Sequence, residues 1–208
     1  MMKLYTSMGS PYGRVTRIVR LEKNLEKLVL FEVVKTRGVN NPYYKINPSG
    51  RVPSLILDDG KILEDSALIC WSLDNVNGIP SLHPSEGMQG LEERRIEAIA
   101  RSMLDGTSLW WREYLYRSHE IRSKIIIDHE KSRALRLADI FEHEVQNEIL
   151  AGPLNMAQII LACVLHGREK SGPPDFSWRI GRPNLCKWVE RIGRNLAISK
   201  TVPIAQDK

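Results

Sequence analysis

Cysteine is scarce in this chain. The three cysteines, Cys70, Cys163 and Cys186, lie far apart, and none belongs to a Cys-x-x-Cys pair. An odd number at such spacing excludes a disulfide framework and fits a reducing compartment. Cys70 and Cys163 fall in apolar helical runs and are expected to be buried core thiols. Long hydrophobic runs are also missing. Nothing approaches the ~20 apolar residues needed to span a bilayer, so no membrane partner is expected. The opening Met-Met-Lys-Leu-Tyr-Thr is strand-like and lacks the apolar stretch of a secretory signal, so the expectation is a cytoplasmic enzyme or binding protein. There is no phosphate-cradling glycine loop, no dinucleotide fingerprint and no zinc-finger spacing. His119, His129 and His143 stand at no metal-ligand spacing, and Glu142-His143-Glu144 lacks the second histidine of a zinc protease helix. No metal is expected.

Charge of one sign is not concentrated either. The chain has 30 basic and 25 acidic residues, a net charge of +5. A nucleic-acid binder shows a sharper basic face and a reading element, so no nucleic-acid partner is expected. The mild positive excess suits an anionic small ligand and equally suits a solvated surface.

At 208 residues the chain accommodates one large domain or two small ones. Residues 2–6 read as a strand, broken by a glycine and a proline. Pro11 fits the first turn of a helix with Ser10 as N-cap. That helix is expected to run to about Asn24, with Val15, Ile18 and Val19 inward and Arg14, Arg17 and Arg20 outward. Val29 to Val34 is a β-branched strand. Loop chemistry fills 36–50, with one short helix around Tyr43-Tyr44-Lys45. Pro53 opens a third strand, Asp58-Asp59-Gly60 is a hairpin turn, and Lys61-Ile62-Leu63 pairs back. Asp65-Ser66 opens a helix to about Asn77, in which Ser66 can cap should the acid be lost. Gly78-Ile79-Pro80 and His83-Pro84 mark a linker. Beyond Glu86 the pattern is helical: long segments over 86–117 and 120–150, then a helix from Asn155 toward Arg168 whose capping box is closed by Gln158. A loop at Gly172-Pro173-Pro174 and a last helix from Pro183 to about Leu196 follow. The domains read as 1–80 and 86–208.

Three short signals carry the chemistry. Ser10-Pro11-Tyr12 puts a hydroxyl at a helix N-terminus, where unpaired N–H groups and the helix dipole lower a thiol's pKa from its usual ~8.5. On local grounds Ser10 is equally an ordinary N-cap. Val52-Pro53 lies in Asn47-Pro-Ser-Gly-Arg51-Val-Pro-Ser, and a proline at the first position of a strand is ordinary. Asp65-Ser66 sets an acid and a hydroxyl at a helix start, which suits an amino-acid end group or a plain cap.

Together, in this order and spacing, the three signals resemble the glutathione-binding half of the glutathione transferase family, in its bacterial, serine-type form. Arg182-Pro183-Asn184-Leu185 with Trp188 resembles the family's Pro-x-Leu-x-x-Trp helix. Asn155 and Gln158 stand where the family has a Ser/Thr-x-x-Asp capping box. The resemblance implies a thioredoxin-like α/β N-terminal domain followed by an all-α C-terminal domain. It implies glutathione as co-substrate, with Ser10 steadying the thiolate. A cis Val52-Pro53 bond would present the backbone of Val52 to the cysteinyl part. Asp65 would hold the γ-glutamyl ammonium and Ser66 the γ-glutamyl carboxylate, with Arg51 and Lys35 toward the glycyl carboxylate. The implied function is conjugation of glutathione to hydrophobic electrophiles in detoxification, by a homodimer. Thr6, Ser7 and Tyr12 are alternative sulfur-contacting hydroxyls. Trp110, Trp111 and Tyr114 suit an apolar substrate pocket, or core and dimer packing. Two other functions remain: a non-catalytic, transferase-like regulatory protein, and a glutathione-dependent reductase or isomerase. Serine in place of cysteine at position 10, and no serine-cysteine stretch, count against the latter.

Overall fold

The computed structural model describes residues 1–168 and 171–203. It divides into two compact units, Met1–His83 and Pro84–Lys208. The first is built from β1 (Met2–Thr6), α1 (Pro11–Glu22), β2 (Val29–Val33), a 3-10 turn at Pro42–Lys45, β3 (Ser54–Ile56), β4 (Ile62–Glu64) and α2 (Ser66–Asp74). The four strands form one sheet in the order β2-β1-β3-β4. β1 runs parallel to β2 and antiparallel to β3, and β3 is antiparallel to β4. A parallel β-α-β unit continued by an antiparallel hairpin and a helix is the thioredoxin-like arrangement the resemblance implies.

Leu4, Val15, Ile18, Val19, Leu55, Ile69, Cys70 and Leu73 have no exposed surface and form the core of this unit. Burial of each large aliphatic chain contributes ~1.5–3 kcal/mol. The inward stripe of α1 is as expected, but its charged side is not. Arg14 is fully buried, Arg17 is 6% exposed, and of the three arginines only Arg20 keeps partial exposure. The reason lies in helix geometry. At 3.6 residues per turn, Arg14 shares a face with Ile18, four residues on. Every residue from Gly13 to Val19 is buried, so two turns of α1 are covered on all sides. Arg17 points back along the helix, its Nη1 3.4 Å from Met8 Sδ and its guanidinium 5.7 Å from the Phe31 ring centre. The guanidinium of Arg20 donates to the carbonyls of Val29 (2.6 Å) and Glu26 (3.2 Å).

The C-terminal ends of α1 and α2 are tied by a buried charge cluster. Lys23 Nζ lies 2.9 Å from Asp74 Oδ1, and both side chains are almost inaccessible, at 0% and 3%. Asp74 also accepts from the backbone of Leu82 and His83 and meets His83 Nδ1 at 2.7 Å. Burial pushes the Asp74 carboxyl up. The hydrogen bonds from Lys23, His83 and the two amides outweigh that and hold it below its ordinary value.

The second unit contains α3 (Leu91–Tyr116), α4 (Lys124–Glu144), α5 (Glu148–Ala151), α6 (Met156–Arg168), α7 (Pro183–Ile192) and α8 (Leu196–Lys200). Helix α6 is central. Met156 through Leu165 are all buried, and α3 packs along it. The helix expected over 120–150 is instead two. α4 ends at Glu144, and Asn147 restarts the chain as N-cap of α5, its side chain accepting from Leu150 N at 3.0 Å. The last expected helix also divides, α7 ending at Ile192 and Asn195 capping α8. The N-cap of α6 departs from the expected box. Asn155 Oδ1 accepts from Gln158 N at 3.0 Å, as foreseen. The Gln158 side chain, however, donates upstream to the carbonyls of Ile149, Gly152 and Pro153. A carboxamide brings donors that a carboxylate lacks, so glutamine here secures the carbonyls of the preceding turn.

Candidate functional site

Strand register brings the three sequence signals to one end of the first unit's sheet. Tyr5 faces Ser54 across β1 and β3, and Ser54 faces Glu64 across β3 and β4. The next row outward is therefore Thr6, Pro53 and Asp65. From Thr6 the chain passes through Ser7, Met8 and Gly9 to Ser10. Pro53 is preceded by Arg51 and Val52, and Asp65 leads directly into α2. With strands ~4.8 Å apart, the row is ~10 Å wide.

Ser10 is the N-cap of α1. Its backbone is extended, and its Oγ accepts from Gly13 N at 3.0 Å. That uses the oxygen as an acceptor and leaves the hydroxyl proton to donate outward. The first turn of α1 carries no acid to offset the positive end of the helix dipole. Gly13 lets the helix approach the strand closely, since a Cβ there would lie 1.6 Å from Thr6 Oγ1. Thr6 itself is fully buried and its hydroxyl donates to Ser7 O at 3.2 Å, so it presents no hydroxyl to a ligand.

The Val52-Pro53 peptide is cis, the isomer the resemblance implies. A buried network braces it. Tyr43 Oη donates to Arg51 O at 2.7 Å and shares a 2.7 Å hydrogen bond with Ser54 Oγ, while Asn47 Nδ2 donates to Arg51 O at 3.0 Å. Burial pushes the Tyr43 phenol up, with the hydrogen bonds to Ser54 and Asn47 acting against it. Ser49 bonds the Glu64 carboxylate and accepts from Arg51 N at 3.1 Å, clasping the loop to β4. Sequence reasoning passed over Tyr43 and Glu64. The only signal was a tyrosine pair in a loop rich in Asn, Pro and Gly.

Asp65, not Ser66, is the N-cap of α2. Its φ is +77°, in the left-handed region, which a short polar side chain tolerates through local hydrogen bonds. Oδ1 accepts from Ala67 N at 2.7 Å and Leu68 N at 3.4 Å. Oδ2 makes no hydrogen bond among the described residues, and the side chain is exposed. Ser66 is 6% exposed. Lys35 and Arg51 have exposed side chains on the flanking loops.

Of the aromatic residues in α3, Trp110 is 1% exposed and sets its ring edge against Phe176 at 5.9 Å. It is core, which removes it from the suggested pocket. Its neighbours on the helix turn are half-buried. Among the described residues, no three His, Cys, Asp or Glu side chains form a metal-binding group, and no helix is long and apolar enough to cross a membrane.

Residues 4–80 match the family model described as glutathione S-transferase, N-terminal domain. The chain is 28% identical over 205 residues to the uncharacterized GST-like protein YibF of Escherichia coli (strain K12), covering 97% of this chain and 98% of that protein. It is 32% identical over 101 residues to a maleylacetoacetate isomerase of Pseudomonas aeruginosa, covering 47% and 48% of the two chains. Among solved structures, a glutathione transferase family member from Pseudomonas fluorescens Pf-5 with bound glutathione superposes with a TM-score of 0.89 at 27% identity, covering 98% of this chain and 99% of that one. Residues 4–80 thus carry the match to the glutathione S-transferase N-terminal domain, and over nearly its whole length the chain is similar in fold to a glutathione transferase family member.

Proposed function

We propose that this protein is a glutathione transferase that conjugates the glutathione thiolate to hydrophobic electrophiles. One observation carries the reading: a hydroxyl at a helix N-terminus, a braced Val52 backbone and an acid with one uncommitted oxygen border a row ~10 Å wide, about the length of an extended tripeptide. Ser10 donates its proton to the sulfur and, with the positive end of α1, favours the thiolate. Val52 pairs with the cysteinyl backbone. Asp65 takes the γ-glutamyl ammonium through Oδ2, and Ser66 with the first amides of α2 takes the γ-glutamyl carboxylate. Arg51 and Lys35 lie toward the glycyl carboxylate. Thr6 drops out as an alternative sulfur donor, because its proton is committed and buried.

The reaction needs the thiol deprotonated at neutral pH. A charge-assisted hydrogen bond of ~1.5–3 kcal/mol lowers the pKa of a bound thiol by roughly 1–2 units. The thiolate then attacks an electrophilic carbon, forming a thioether and displacing the leaving group. The exposed Leu68 and Trp71 on α2 and Ile62 on β4 give the first unit an apolar surface suited to a homodimer interface. Calorimetry with glutathione, followed by a panel of model electrophiles, tests the proposal. Absence of binding refutes it, and binding without turnover on any electrophile favours a regulatory role. The partial match to an isomerase supports a second reading, glutathione-dependent isomerisation. In that chemistry glutathione is regenerated, so product analysis separates the two.

A further inference from the structure

The second unit carries a stacked group of three side chains on α3 and the connection that follows it. Trp111 and Tyr114, one turn apart on α3, stack with ring centroids 6.4 Å apart and an interplanar angle of 24°. The guanidinium of Arg122, on the connection to α4, lies over the Tyr114 ring at 4.4 Å. All three residues are half-buried. Arg122 forms no side-chain hydrogen bond and no ion pair among the described residues, and its Nε is buried without a partner. Its Nη groups are not among the buried unpartnered atoms, so they remain reachable from solvent.

The neighbouring charges are otherwise accounted for. Glu113 is buried, accepting from Ser123 N at 2.8 Å and pairing with Arg117 at 3.4 Å. Lys124 pairs with Asp128. Glu120 is exposed; a hydrogen bond from Ser118 first, and the nearby charge of Arg122 in smaller part, hold its carboxyl below the ordinary value, yet no ion pair within 4.0 Å joins it to Arg122 among the described residues.

An arginine usually loses several rotors when it grips an anion. Here the guanidinium is already stacked on the Tyr114 ring, and among the described residues no acceptor lies within hydrogen-bond distance of its Nη edge. A planar guanidinium matches a carboxylate with two parallel hydrogen bonds, and an aromatic ledge beside it takes a flat apolar body. Fixing such a group beforehand removes part of the entropic cost of binding.

We propose that Trp111, Tyr114 and Arg122 form a binding site for planar, conjugated or aromatic carboxylates, the carboxylate on the Arg122 fork and the flat body on the Trp111–Tyr114 ledge. The site stands on the second unit alone and does not depend on the glutathione reading.

Nuclear magnetic resonance of the indole N–H groups tests it in the full chain without glutathione. The five tryptophans give five signals, and Trp111→Phe identifies the one that matters. Titration with 4-nitrobenzoate is expected to shift the Trp111 signal saturably, with 4-nitrobenzyl alcohol at least tenfold weaker. Arg122→Gln should weaken 4-nitrobenzoate by about 10- to 100-fold, the range for losing a charge-assisted pair, and leave the neutral alcohol unaffected. Arg122→Lys keeps the charge and loses the fork, and should fall between the two. Since Arg122 holds no other group by a side-chain hydrogen bond, the four indole signals other than that of Trp111, which lies in the same stack, should stay in place in the unliganded Arg122 variants, which reports folding. No saturable shift of Trp111, equal affinity for acid and alcohol, or an Arg122→Gln variant that binds as tightly as wild type would each overturn the proposal.

Discussion

Under the proposed function, replacing Asp65 separates folding from recognition, because the two tasks would fall on different oxygens. Oδ1 accepts from Ala67 N and Leu68 N, while Oδ2 is open. Asp65→Asn keeps an acceptor for the cap and keeps a residue that tolerates φ near +77°. Its thermal midpoint should stay within about 2 °C of wild type, because a change under ~0.5 kcal/mol shifts a chain of this size by no more than that. What Asn loses is the charge facing the ligand's ammonium. A hydrogen bond between charged groups is worth ~1.5–3 kcal/mol, so glutathione affinity should fall roughly 10- to 150-fold. Asp65→Ala loses both. The missing cap costs about 1 kcal/mol and the left-handed backbone about another 1, so its midpoint should drop by roughly 4–8 °C. Calorimetry gives the affinities and scanning calorimetry the midpoints. Wild-type glutathione affinity in Asp65→Asn would refute the reasoning and reduce Asp65 to a helix cap.

Ser10→Ala should raise the pKa of bound glutathione and lower turnover roughly 10- to 150-fold with little change in affinity, while loss of the cap costs about 1 kcal/mol of stability. Thiolate absorbance against pH checks this, and an unchanged thiolate pKa would move the role to Ser7 or Tyr12. Asp74→Asn should destabilise by ~3–5 kcal/mol, since it strands the Lys23 charge in the core. Because the folded Asp74 carboxyl lies below its ordinary 3.8, its contribution is complete above that value and is lost as pH falls through the folded value. The wild-type midpoint should therefore fall in acid more steeply than that of Asp74→Asn, as read by thermal melts between about pH 6 and 3. Light scattering at micromolar concentration should give a dimer, and a species near the chain mass of 23.8 kDa would refute the homodimer.

The parts legible in the sequence are those governed by local rules. β1 is read from five residues ended by a glycine and a proline, α1 from Ser10-Pro11 at its start, and the β3–β4 hairpin from Asp58-Asp59-Gly60. Each depends on backbone conformations that few residue types satisfy. Burial of charged residues was not legible, because it is decided by what covers a helix. Arg14 and Arg17 look solvated on a helical wheel, yet α1 is covered on every side over those turns. The break after Glu144 escaped for a related reason: the apolar period continues through Val145 and Ile149 while Asn147 redirects the backbone. Gln158 shows a third limit. A cap pattern predicts which amide is accepted, but which carbonyls a long carboxamide reaches depends on the turn folded beside it.

The two proposed site residues at helix starts share a property that makes them legible in the sequence. Ser10 spends its oxygen on Gly13 N and keeps its proton, and Asp65 spends one oxygen on two amides and keeps the other. In each case the helix start fixes the side chain in place and leaves one atom uncommitted at the end of the sheet. The cap therefore supplies the rigidity that recognition needs, since a group already ordered by folding loses little entropy on binding. The same logic makes the residue type readable, because capping alone restricts each position to a few polar side chains. It also means that alanine at either position removes the cap along with the free atom, so its effect on stability must be read beside its effect on the ligand. Substitutions that keep the cap and change only the free atom, as Asp65→Asn does, measure the chemistry by itself.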